Sequence, residues 1–97
     1  MIDFARLNGW AVVVIRAMRT VRPNGTVQWI TPFGADGKGF FDTVFVRERV
    51  VFAELKFRKD RKRSPEQDIW AGRMLKAGQE VYLWFPQHWP QIEEVLK

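Results

Sequence analysis

The apolar positions of this chain change period several times, and each change marks an element. Ile2, Phe4 and Leu7 are spaced for one short helical turn, which Asn8-Gly9 ends. Trp10 to Arg16 is a β-branched run, apolar on both faces, and predicts a central strand. From Met18 to Asn24 the chain turns polar and basic. Pro23-Asn24-Gly25 predicts a turn, because proline presets the first corner and Asn-Gly tolerates positive φ. Thr26 to Ile30 alternates as a second strand, expected to pair with the first across a long connection.

Thr31 to Gly39 carries three glycines and a proline and is expected to be a connecting loop. It is no phosphate cradle: that motif needs Gly-Lys-Ser/Thr entering a helix, whereas Gly37-Lys38-Gly39 enters Phe40 and a strand. Phe41 to Val46 and Val50 to Phe57 are the next two strands, joined at Arg47-Glu48-Arg49.

Further on, Ser64-Pro65-Glu66-Gln67 has the residues of a capping box and predicts a helix start. Ile69, Trp70, Met74 and Ala77 are its expected inward stripe, and Gly78 its left-handed cap. Glu80 to Phe85 returns as a strand, giving the β-α-β pattern of a parallel crossover. Pro90 to Leu96 closes the chain as a short helix with Ile92, Val95 and Leu96 inward.

Charge changes this picture at one place. In the apolar strand pair, Asp42, Glu54 and Lys56 are ionisable groups that are costly to bury unless paired or metal-bound. Strand alternation puts Glu54 and Lys56 on one face. Asp42 shares it only if residue 42 pairs with 54 or 56, so a three-residue loop Arg47-Glu48-Arg49 is predicted. A two-residue turn would oppose 42 with 55 and turn the aspartate away.

Two carboxylates so placed suit a hard divalent cation, with oxygen ligands at about 2.0–2.1 Å. The main-chain carbonyl of Leu55 is a further candidate ligand. The Lys56 ammonium is positioned to stabilise charge on a phosphate. An isolated Glu-x-Lys on a strand is equally consistent with a cross-strand ion pair.

Composition narrows the alternatives. Ninety-seven residues, 46% hydrophobic and 28% charged, fit one small folded domain spanning 1–97. Cysteine is absent and there is one histidine, which excludes disulfides and thiolate zinc sites. The net charge is +5, and six of the sixteen basic residues fall between Lys56 and Arg63. That block, Arg58, Lys59, Arg61, Lys62 and Arg63 directly after the strand of Glu54 and Lys56, suits phosphate contacts that position DNA; Arg16, Arg19 and Arg22 extend the same chemistry. Ala11 to Ile15 is too short for a signal or membrane segment, so a cytoplasmic protein without membrane attachment is expected. Trp10, Trp70 and Trp84 are expected in the core, Trp29 and Trp89 less so. His88 has no carboxylate near it in sequence, which argues against general-base duty.

Gly39-Phe40-Phe41-Asp42, Phe52-Ala53-Glu54-Leu55-Lys56, Ser64-Pro65-Glu66-Gln67 and Val81-Tyr82-Leu83-Trp84-Phe85-Pro86 together resemble the VRR-NUC domain, a branch of the PD-(D/E)xK nuclease superfamily. The resemblance runs from about Gly39 to Leu96, and Gly9-Trp10 before a strand is similar to the family's first strand. It implies a restriction-endonuclease-like α/β fold, with a mixed sheet of four to five strands flanked by helices. It also implies a Mg²⁺- or Mn²⁺-dependent DNA endonuclease of replication and repair, similar to the stand-alone phage and bacterial members that act on branched DNA as homodimers, as Holliday-junction resolvases do. Asp42 and Glu54 would then be metal ligands and Lys56 the catalytic lysine. Gln67 matches the family's helix glutamine near the site, a role that competes with capping Ser64. The chain departs from the family at Phe41, where proline is usual. It also departs at Met1 to Asn8, where a longer helix usually supplies a glutamate; Asp3 is the acid available there. The competing reading is a non-catalytic nucleic-acid-binding module on a nuclease fold. A third is a basic α/β protein with no nucleic-acid role.

Overall fold

The computed structural model describes residues 1–16, 18–30, 34–56 and 63–97. Its elements are α1 (Ile2–Leu7), β1 (Ala11–Val14), β2 (Met18–Val21), β3 (Val27–Ile30), β4 (Thr43–Val46), β5 (Val50–Leu55), α2 (Pro65–Lys76), β6 (Glu80–Trp84) and α3 (Trp89–Leu96). A 3-10 turn over Pro86–His88 leads into α3. Among the described residues the strands form a four-stranded mixed sheet in the order β1-β4-β5-β6 and a separate two-stranded sheet, β2-β3. β1–β4 and β4–β5 are antiparallel, and β5–β6 is parallel across α2.

Alternation sorts the sheet into two faces. One presents Phe45, Val51, Ala53 and Trp84 to Ala5 of α1 and to Ile92 and Leu96 of α3, and with Trp10 these make the core. The other carries Asp42, Val44, Phe52 and Glu54. Over this face Phe40 packs edge-on against Phe41, Phe52 and Trp70 of α2, with ring centroids 5.5, 6.0 and 5.1 Å apart. Apolar burial on the first face fixes the register that places the charges on the second.

Two strand expectations are corrected. Trp10 to Arg16 contributes an edge strand, not a central one: Val12 packs on the core while Val13 and Val14 are exposed. The Thr26 to Ile30 strand pairs with Met18–Val21, the stretch expected to be connection, and not with β1. In α2 the inward face is Gln67, Trp70, Ala71 and Met74, and Ile69 and Ala77 are exposed. The helix is set by the loop it meets: the Trp70 indole donates to the Asp36 carbonyl at 3.0 Å. Leu7, expected as an apolar contact, is also exposed. Gly78 caps α2 with φ +79°, as expected.

The Arg47-Glu48-Arg49 loop has three residues, since Val46 pairs with Val50. It closes without a left-handed residue because its arginines are held from outside. Arg47 and Arg49 lie over the Trp10 ring, at 4.4 and 5.0 Å. Arg47 donates to the carbonyls of Asn8 and Lys97, and Arg49 to that of Val95. The Trp10 indole donates to Leu96 O at 2.8 Å. The turn thus ties both ends of the chain to the strand pair that carries the site.

Candidate functional site

Thr43 pairs with Ala53, so the same register carried one residue further sets Asp42 opposite Glu54. At that point the ladder gives way to side-chain bonding. Both Asp42 carboxylate oxygens accept from the Leu55 amide, at 3.2 and 3.1 Å, and one accepts from the Thr43 hydroxyl at 3.0 Å. Burial raises the Asp42 pKa, opposed by these bonds and by the nearby Lys56 charge.

Glu54 is the anomaly of the sheet. Its side chain is 1% exposed, and among the described residues neither carboxylate oxygen has a hydrogen-bond donor. The Arg63 Nε stands 3.4 Å from Oε2. Burial raises the Glu54 pKa; Arg63 and Lys56 pull it down, and Asp42 and Asp68 push it up. Arg63 was expected to face phosphate with the basic block. Instead its guanidinium, 23% exposed, sits between Glu54 and, at 4.0 Å, Asp68. Arg58, Lys59, Arg61 and Lys62 lie outside the described residues.

Lys56 is half-buried at the end of β5, where its amide donates to Trp84 O at 2.9 Å, and its charge acts on both carboxylates. Asp42, Glu54 and Leu55 are therefore brought together, Leu55 through its amide, whereas Lys56 lines a separate hollow with Met1, Trp84, Phe85 and Ile92 on the α3 side of the sheet.

Asp42, alone of these four residues, lines a cavity of about 640 Å³ together with Phe41, Ile15, Ser64, Gln67 and Gly37 to Phe40. Gly39 makes this possible. It has φ +85°, and a Cβ there would lie 2.5 Å from Glu66 Cβ and 2.8 Å from the Gln67 nitrogen. Only glycine lets the loop run this close to the first turn of α2. Lys38 pairs with Glu66 at 3.4 Å across the junction. Neither Gly39's close approach nor Arg63's inward turn was read from the sequence. A buried glutamate on β5 needing a cation was the available signal for Arg63.

Of its two competing expectations, Gln67 takes the capping one. Its Oε1 accepts from the Ser64 amide at 2.9 Å, while the Ser64 Oγ accepts from the Gln67 amide at 3.2 Å, a complete capping box. The same residue lines the Asp42 cavity. Asp3 is exposed on α1, in a separate surface hollow with Arg6 and Leu7. His88 Nδ1 accepts from the Phe85 amide at 3.0 Å, so it closes the turn before α3. Trp10 and Trp84 are buried, Trp70 is half-buried, and Trp29 and Trp89 are exposed.

Among the described residues no group of three or more histidine, aspartate or glutamate side chains converges as a metal cage. Two carboxylates and a main-chain oxygen remain an acceptable donor set for a cation that keeps most of its waters, as Mg²⁺ does. The undonated oxygens of Glu54 fit such a group. Compared with known protein families, curated proteins and solved structures, the chain matches none of them.

Proposed function

We propose that this protein is a divalent-metal-dependent DNA endonuclease of the PD-(D/E)xK kind, acting on branched or structured DNA as a homodimer. The observation that carries the reading is Glu54: a buried carboxylate without a donor among the described residues, opposite Asp42 and within reach of the Lys56 charge. An antiparallel strand pair bearing the carboxylates, then a helix and a parallel strand, supports a restriction-endonuclease-like fold.

Asp42, Glu54 and the Leu55 carbonyl would hold Mg²⁺ or Mn²⁺, which when bound supplies water activation and charge neutralisation at phosphate. The residues of the chain do the rest. The Leu55 amide and Thr43 hydroxyl fix the Asp42 carboxylate. Lys56 supplies positive charge for the pentavalent phosphate. Arg63 offsets part of the burial that disfavours the charged form of Glu54. The cavity behind Asp42 gives the backbone of a substrate room to approach.

A second reading, the non-catalytic nucleic-acid-binding module, is favoured by that same Glu54–Arg63 ion pair, which already gives the buried carboxylate a cation. Cleavage separates the two. A labelled four-way junction and a plasmid are incubated with Mg²⁺, Mn²⁺ or EDTA, beside Asp42→Ala and Lys56→Ala. The nuclease reading expects cleavage in either metal that EDTA and both substitutions abolish. Binding without cleavage in both metals would establish the module instead.

A further inference from the structure

The β2–β3 hairpin belongs to neither face of the main sheet. Among the described residues its strands pair only with each other. The radius of gyration is 15.0 Å and the longest extent 48 Å, where a compact chain of this length has a radius of about 12.5 Å. Its tip is well built: Asn24 Oδ1 accepts from the Thr26 amide and hydroxyl, and the Arg22 amide donates to Thr26 O. Arg22 Nε also donates to Gln28 Oε1 at 2.8 Å.

Pairing of Arg19 with Trp29 and of Val21 with Val27 puts all four on one face of the hairpin. Trp29 is 66% exposed there, and Val21 and Val27 are exposed beside it. A two-stranded ribbon has no core to justify so large a ring in water. The charge is one-sided too: the 32 residues from Phe4 to Ala35 contain four arginines and no acid.

We propose that this hairpin face is a nucleic-acid-binding arm, in which Trp29 stacks on an unpaired base while Arg19 contacts a flanking phosphate. Aromatic stacking is sequence-tolerant and arginine supplies the counter-charge, so single-stranded nucleic acid fits both halves of the surface. A second copy fits less well, because a self-complementary contact gathers arginines from both chains with no acid among them. The inference rests on the nuclease reading only in requiring that the protein meets nucleic acid.

The test is fluorescence anisotropy of a labelled 12-nucleotide oligothymidine and of a 12-base-pair duplex in EDTA. Wild type is compared with Trp29→Ala, Trp29→Phe and Arg19→Ala, with thermal melts confirming folding. Trp29→Ala is expected to weaken single-strand binding about 5- to 100-fold and duplex binding far less, while Trp29→Phe restores it. Arg19→Ala is expected to flatten the salt dependence by about 0.7 in log-log slope, the loss of one phosphate contact. Unchanged single-strand affinity in Trp29→Ala overturns the arm. So does a wild-type dimer that Trp29→Ala converts to monomer in sedimentation, which assigns the face to a second copy. Trp29-dependent binding without metal-dependent cleavage removes the nuclease reading alone. Metal-dependent cleavage with Trp29-independent binding removes this inference alone.

Discussion

The Nε of Arg63 lies 3.4 Å from Oε2 of Glu54, and neither atom makes a hydrogen bond among the described residues. The pair is close enough to attract but lacks the geometry that offsets the desolvation of two buried charges. Substituting Glu54→Gln removes the buried charge and keeps the shape. In metal-free buffer at neutral pH this variant is expected to melt above wild type, where about 1 kcal/mol corresponds to roughly 4–8 °C at this size. Mg²⁺ at about 100 times its Kd should stabilise wild type by roughly 2.7 kcal/mol and leave Glu54→Gln unmoved. Equal Mg²⁺ shifts in both proteins would remove Glu54 as a ligand.

The pH dependence has a fixed sign. Burial holds the Glu54 and Asp42 pKa values above their ordinary 4.5 and 3.8, so the folded state binds these protons more tightly than the unfolded chain does. Their contribution favours folding at low pH and is lost as pH rises through the raised values. Without metal, the melting temperature of Glu54→Gln minus that of wild type is expected to widen as pH climbs from about 4 to 7. A difference that narrows over that range would mean Glu54 is stabilised as a charge by Arg63.

Glycine 39 tests whether the loop and α2 form the cavity together. Its missing Cβ is replaced by the first turn of α2, with Glu66 Cβ at 2.5 Å and the Glu66 carbonyl carbon at 2.6 Å. Gly39→Ala therefore strains a positive φ and forces backbone apart at the same time. A loss of at least 2 kcal/mol in urea denaturation is expected, well beyond an ordinary surface substitution. Gly25, also at positive φ but with nothing near its absent Cβ, is the control: Gly25→Ala should cost less.

How much of this was legible depended on whether the signal was local. The parity argument that placed Asp42 opposite Glu54 needed only alternation and a turn length, and both are local. The capping box at Ser64 and Gln67 was legible for the same reason. Strand neighbours were not. The Trp10 to Arg16 run is apolar on both faces, yet β1 lies at the sheet edge, because position in a sheet is decided by distant pairing and not by the run itself. Met18–Val21 escaped because neither face of the hairpin is buried in a core, so no one-sided pattern marks it as a strand. Arg63 looked like part of a solvated basic block, and only the fold brings it to Glu54.

Gln67 supplies the last prediction, because its capping bond and its place on the cavity wall can be separated by chemistry. Ser64→Ala removes the hydroxyl acceptor and leaves Gln67 in place; Gln67→Ala removes the other half of the box. Each is expected to cost about 1 kcal/mol of stability, the usual worth of an N-cap. Gln67→Glu keeps an oxygen for the Ser64 amide and adds charge favourable at a helix N-terminus, so its melting temperature should stay at or above wild type. It also sets a third carboxylate on the cavity that Asp42 lines. If Gln67 serves the site as well as the helix, Gln67→Glu changes metal affinity while keeping wild-type stability, and Ser64→Ala loses stability while keeping metal affinity. Titrating Mg²⁺ against the melting temperatures of the two variants measures both effects, and identical Mg²⁺ responses would confine Gln67 to the cap.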